Sequence, residues 1–396
     1  MKRRWVWCVA AMFVLAGLVT ACNPEEDEDE TTADEAIAKG KAALEIGDGV
    51  GAAKYFRYAQ ASDLYNRDAD YGLVMANLTA MVNLVDSIVP LAPLFEDGQQ
   101  VNEGPSVAVG DHLQSILETS AVADFRASDE AFERLEPVRP LRFDLGRYPW
   151  TLGGSDLLVL GGEFDRADLD FFGALTSLVL GVLDIVATHN LDLNLGTLTL
   201  PSFDFAEDPA GTVAGLRGLL GSLLDDPYFD DFLMMEEDGA ARMRQAGVEL
   251  GTAFDRLYRM FNELTTETDD QSNDAIWFAD DNDDGRYTRG SDRVFLGELE
   301  IRAETADALA GLFHNLSLAL WEGSSADPSP LTTERLSPAM LNDLLVALGV
   351  LDAPILPDWI GFDIGQVFSD PHPAGLRGLV QTLVDILAAI EESIQK

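Results

Sequence analysis

The chain is poor in the side chains most catalysis depends on: 396 residues hold two cysteines and four histidines, and 26 basic residues face 69 acidic ones. Both cysteines, Cys8 and Cys22, lie at the N-terminal end. The body after them therefore forms no disulfide and offers no thiol nucleophile or thiolate metal ligand. His112, His189, His314 and His372 share no metal-binding spacing, and the sequence has no H-E-x-x-H, no G-x-S-x-G elbow and no phosphate loop. Carboxylates are so abundant that any pair of them carries no information. The expectation is a protein without catalytic activity. The shortage of positive charge disfavours nucleic acid, whose phosphates such a field repels. No segment reads as a membrane-spanning helix. Asp168 to Ala187 comes closest, and Asp170 and Asp184 interrupt it.

What is present begins with the N-terminus. Lys2, Arg3 and Arg4 precede an apolar run from Val9 to Val19, too short to cross a bilayer, and Val19-Thr20-Ala21-Cys22 follows. This order resembles the signal and lipobox of bacterial lipoproteins. The resemblance implies that residues 1–21 are removed and that Cys22 carries a diacylglyceryl group and an amide-linked fatty acid such as palmitate. Asn23, rather than aspartate, after that cysteine implies the outer membrane of the envelope. Several acyl chains on one residue exceed what stable anchoring needs. Losing residues 1–21 takes away three basic and no acidic residues, so the formal charge moves from −43 to −46. That charge suits cations and basic partners, and equally a salty or calcium-rich medium. Residues 22–34 are acidic and without periodicity, the pattern of a solvated tether. In some bacterial groups such a run also accompanies export to the cell surface.

With 47% hydrophobic residues the chain has material for a large core in one domain or two. Apolar spacing predicts a mostly α fold with a few short strands. Over residues 36–69, Gly40 and Ala43 share one helix face, Gly47-Asp48 makes a turn, and Ala52, Phe56 and Ala59 share a second face. Small residues beside a groove-filling aromatic are what close helix packing needs. The pattern resembles a tetratricopeptide repeat, which implies a helical region over 35–130. Further helices are expected at 73–96, 111–125, 240–264, 337–349 and 374–393, and strands around Leu141, Phe143 and Leu145 and from Leu191 to Leu200.

Two pairs of segments look alike in the same order. GEFDRADLDFFGALTSLVL (162–180) parallels GELEIRAETADALAGLFHNLSL (297–318), and FDFAEDPAGTVAGLRGLL (203–220) parallels FDIGQVFSDPHPAGLRGLV (362–380). Asp208 and Asp370 are placed to cap helices begun by the following prolines. These matches suggest an internal duplication into α-rich halves, 139–235 and 290–396, joined by a helix and loop over 236–289. A seam between such halves would hold either an apolar pocket or an ordinary helical core.

Residues 280–292, DDNDDGRYTRGSD, present oxygen donors at alternate positions before a glycine. Asp280, Asn282 and Asp284 stand at positions 1, 3 and 5 and Gly285 at 6. Arg286 offers its carbonyl from position 7, Thr288 its hydroxyl or a water from 9. Position 12 is Ser291, and Asp292 comes one place late. The loop resembles an EF-hand or dockerin calcium loop with a one-residue expansion, implying a structural Ca2+. Its flanks, Trp277-Phe278 and Arg293-Val294-Phe295, look extended rather than helical. Taken together, the expectation is an envelope lipoprotein that binds a protein partner or an apolar ligand. The alternative is a solute- or lipid-capturing component of a transport system.

Overall fold

The computed structural model describes residues 31–88, 121–152, 155–190, 209–225, 234–237, 239–267 and 274–324, with scattered positions between 367 and 388. The expected signal, Cys22, the tether up to residue 30, the Leu191–Leu200 strands, the 337–349 helix and most of the 374–393 helix lie outside them. Among the described residues there are eight helices and two small antiparallel sheets, so the fold is mostly α as the apolar spacing predicts.

Helix α1 (Ala33–Glu45) opens on a reciprocal cap: Thr32 Oγ1 accepts from Glu35 N at 3.3 Å, and Glu35 Oε2 accepts from Thr32 N at 3.0 Å. Gly47, at φ 78°, turns the chain, and Asp48 caps helix α2 (Gly49–Ser62) by accepting from Gly51 N at 2.9 Å. Ala52, Phe56 and Ala59 are fully buried on α2. The Phe56 ring lies so close to Gly40 of α1 and Gly72 of helix α3 (Arg67–Ile88) that a β-carbon would sit 2.7 Å and 2.2 Å from it. Three helices thus meet on one ring. Helix α4 (Val122–Leu135) packs along α3.

Strands β1 (Phe143–Leu152) and β2 (Ser155–Phe164) form an antiparallel hairpin, pairing Phe143 with Phe164 at the root and Leu152 with Ser155 at the tip. Phe143, Leu145 and, past a break in register after Leu145, Tyr148 turn into the core with Tyr71, Phe164 and Phe172. Tyr71 stacks on Phe143 at 5.0 Å, and Phe172 meets Tyr148 edge-on at 5.7 Å. The buried Tyr148 hydroxyl donates to the Met75 carbonyl at 2.8 Å and lies 2.9 Å from the Thr79 hydroxyl, so its polar end is satisfied.

Helix α5 (Arg166–Ala187) corrects one sequence expectation. By length and composition it does qualify as a membrane-crossing helix, yet most of it is buried inside the protein. The two carboxylates that interrupt its apolar run are buried as well. Asp170 accepts from Arg166 at 3.1 Å, and Asp184 lies 3.4 Å from Arg126. Helix α6 (Pro209–Leu224) begins at the proline following Asp208, and the Arg377 guanidinium donates to the Leu224 carbonyl at its C-terminal end.

Helix α7 (Gly239–Leu264) is the central strut, lying against both α5 and a later helix, α8 (Ala303–Ser324). Its Arg256 is almost fully buried. The guanidinium reaches Asp129 and the Ser177 hydroxyl, both at 2.6 Å, and the Gly173 carbonyl at 3.1 Å, and it covers the Phe132 ring at 3.7 Å. Strands β3 (Ile276–Ala279), β4 (Arg293–Leu296) and β5 (Leu299–Ile301) make the second sheet in that order. It joins the first hairpin through the backbone: Ala275 N donates to the Glu163 carbonyl at 3.1 Å, and Gly297 N to the Ala275 carbonyl at 3.0 Å. A β-carbon on Gly297 would lie 2.5 Å from the Val159 carbonyl oxygen.

The two segments matched as a duplication enter α5 and α8, both of 22 residues, both entered from a hairpin and both packed on α7. Their Gly-Glu pairs fall at different places, Gly162 inside β2 and Gly297 in the turn before β5. The second matched pair lies mostly outside the described residues.

Candidate metal centre

The β3–β4 hairpin is built by alternation. Ile276 and Phe278 face inward with Val294 and Leu296, against Met260, Phe261 and Leu264 of α7 and Ala306 and Ala310 of α8. On the other face Trp277 and Phe295 stack with parallel rings 4.0 Å apart. The extended flanks expected from the sequence are therefore paired strands. Residues 280–292 are the tip of that hairpin. What the loop shares with an EF-hand is its own chemistry, without the flanking helices.

Within the loop each carboxylate is turned by backbone donors. Asp280 accepts from Asp284 N at 3.0 Å and from Gly285 N at 2.7 Å, and Asn282 Oδ1 accepts from Asp284 N at 2.9 Å. Asp284 accepts from Arg286 N at 3.0 Å and from the Thr288 hydroxyl at 2.8 Å. Asp292 accepts from Asp281 N at 3.0 Å and Thr288 N at 2.6 Å. Such Asx-type bonds need a tightly coiled backbone, and Gly285 and Gly290 supply it at φ 79° and 73°. The second of these turns explains the late acid. Thr288 O accepts from both Ser291 N and Asp292 N at 3.1 Å, so the extra residue is absorbed and the carboxylate still points inward. Asp281 stands outside, paired with Arg293 at 2.8 Å across the hairpin base.

The outcome is one oxygen each from Asp280, Asp284 and Asp292, all within 4.8 Å of one another. Asp292 is fully buried, Asp280 is half-buried and Asp284 is exposed. Ligand oxygens around a calcium ion sit about 2.3–2.6 Å from it, so about 4.6–5.2 Å is the widest spacing they can have across the ion. The cluster could hold a metal ion on that measure. The hydrogen bond from Thr288 holds the Asp284 carboxyl below the ordinary carboxylate range, keeping it ionised. Three like charges this close repel one another, and a cation relieves that repulsion. Of the residues read from the sequence, Asn282 and Thr288 are committed to Asp284, while Arg286 touches Asp284 through its N–H.

Other titratable groups lie outside the loop. Asp170 is buried between Arg166 at 3.1 Å and Arg259 at 3.4 Å, and burial pushes its carboxyl up to about 6. Asp168 is fully buried and raised well above the usual range, chiefly by burial and then by neighbouring Asp165. His189 is buried, its Nδ1 2.5 Å from the Ile185 carbonyl oxygen, and burial lowers its pKa. His314 packs on Tyr258 at 4.6 Å. Among the described residues no second group of three metal-capable side chains converges. An open groove of about 560 Å3 lies between α1 and the α2–α3 turn, lined by Asp34, Ile37, Lys41, Asp63, Tyr65 and Arg67 among others. No family model matches this chain, and no curated protein or solved structure matches it either.

Proposed function

We propose that this chain is a lipid-anchored envelope protein that binds a protein partner without catalysing a reaction, and that Asp280, Asp284 and Asp292 hold a structural calcium ion. The observation that carries the reading is the three-carboxylate cluster at the hairpin tip. A hard ion with six to eight oxygen ligands suits carboxylates best, with the Asn282 amide, the Arg286 carbonyl, the Thr288 hydroxyl and waters completing such a set. The ion neutralises local charge and closes a loop that otherwise repels itself.

The partner reading draws on the groove at α1. It is open, lies on a helical face and carries both signs of charge beside an exposed tyrosine. These features favour a polypeptide over a small solute, for which a closed apolar cavity is the usual container. The lipobox-like order of residues 2–22 supports anchoring through Cys22 and outer-membrane placement, and the acidic charge supports exclusion of nucleic acid. Native mass spectrometry with and without chelator tests the metal, and labelled palmitate tests the anchor. A protein that carries no calcium mass before chelation sinks the metal part, and absence of label from Cys22 sinks the anchor.

A further inference from the structure

The loop that gathers the carboxylates also reaches into the protein through two side chains that bind no metal. Tyr287 is buried, its ring 5.7 Å from Phe278, in the cluster of Met260, Phe261 and Leu264 of α7 with Ala306 and Ala310 of α8. Its hydroxyl has no hydrogen-bond partner. Burial, partly offset by Arg289, pushes that hydroxyl up to about 12. Tyr287 thus carries a buried, unpartnered hydroxyl from the loop into the seam between α7 and α8. Arg289 donates to Asn262 of α7 at 2.6 Å and lies 5.2 Å above the Tyr258 ring. Tyr258 in turn contacts His314 of α8.

We propose that cation occupancy of the 280–292 loop controls how firmly α7 and α8 close on each other, transmitted by Tyr287 and Arg289. This rests on the calcium reading above and goes beyond a merely local staple. Asp284 and Asp292 both belong to the cluster, so the seven residues between them form a small closed ring when the carboxylates are held together. Tyr287 and Arg289 lie within that ring and have little freedom to move while it is shut. Without a cation, mutual repulsion widens the ring and takes both side chains with it. The far side is a contiguous apolar seam: Phe313 of α8 lies 5.9 Å from Phe254 and 6.5 Å from Phe261, both of α7. Because α7 also carries α5, loosening there reaches the middle of the molecule.

Hydrogen exchange on the purified protein, stripped with chelator and then supplied with Ca2+, tests this alongside calorimetry. The expected result is calcium binding, with amide protection rising about tenfold or more in 255–264 and 306–317 as well as in the hairpin, while α1–α3 stay unchanged. Arg289→Ala should keep the calorimetric signal and the hairpin protection and lose the gain in α7 and α8. No heat of binding removes the calcium reading and this inference together. Binding with protection confined to 276–296, or spread evenly through α1–α3, overturns the inference alone. So does an Arg289→Ala protein that retains the distant protection or loses calcium binding.

Discussion

The β1–β2 hairpin has strands of ten residues and buries Phe143, Leu145, Tyr148, Leu160 and Phe164 against helices, whereas β3–β4 has strands of four and ends in a thirteen-residue loop rich in carboxylates. The first is held by aromatic area and one satisfied tyrosine hydroxyl, terms that salt and metal ions barely alter. The second also buries apolar side chains at its root, but its tip concentrates negative charge and gains from a counter-ion. One fold thus carries a hairpin fastened mainly by buried apolar side chains beside one whose three clustered carboxylates could hold an ion.

The comparison breaks first at the core. Phe56→Ala is expected to cost about 4 kcal/mol of unfolding free energy, measured by urea titration, and by the same amount with calcium or chelator present. A cost that changed with calcium would mean that the two regions do not stand apart. Next in size is the ion itself. Chelation should lower the melting temperature by roughly 3 °C from a calcium level about a hundredfold above its dissociation constant. Asp284→Asn should remove that response without destabilising the chelated protein, since it also removes a repelling charge. A full calcium response in Asp284→Asn would refute the site.

The third test concerns pH. The folded Asp170 carboxyl stands near 6, above its ordinary value of about 3.9, so folding favours its protonated form. Its contribution is complete below about pH 4 and is lost as pH climbs through 6, a change of about 3 kcal/mol. Comparing the pH dependence of stability in the wild type and Asp170→Asn isolates it, and identical slopes between pH 4 and 7 would reject it. Smallest is Asn83→Ala. Removing the bond from Asn83 Nδ2 to the Gly47 carbonyl, 2.6 Å long, should cost about 1 kcal/mol and leave calcium binding untouched.

Much of this architecture could be read from residue spacing. The seam from Met243 to Leu264 marks α7 to within a residue, because an amphipathic stripe of that length fits no other element. Pro209 marks the start of α6, Phe143 and Leu145 mark a strand, and the extended flanks of the loop are β3 and β4. The inward turn of Asp292 was harder to see, since counting twelve positions puts a serine there and only the coiling at Gly290 restores the acid. The roles of Tyr287 and Arg289 were hidden because their partners on α7 lie about 25 residues away in the chain. Asp168 and Asp170 were unreadable for another reason. In a chain with 69 acidic residues a buried carboxylate looks like any other until the helices around it are in place. Arg256 likewise reads as one more solvated cation, although it fastens α4, α5 and α7 together.

Gly297 deserves a last consideration for what its bareness implies. The glycine backbone rests on the Val159 carbonyl, with the end of the Leu160 side chain close beside it. Displacement of the β3–β4 hairpin therefore has little slack to take up before it presses on β2. A single methyl group there, at a φ of 56° that already disfavours any side chain, would act as a wedge between the two sheets.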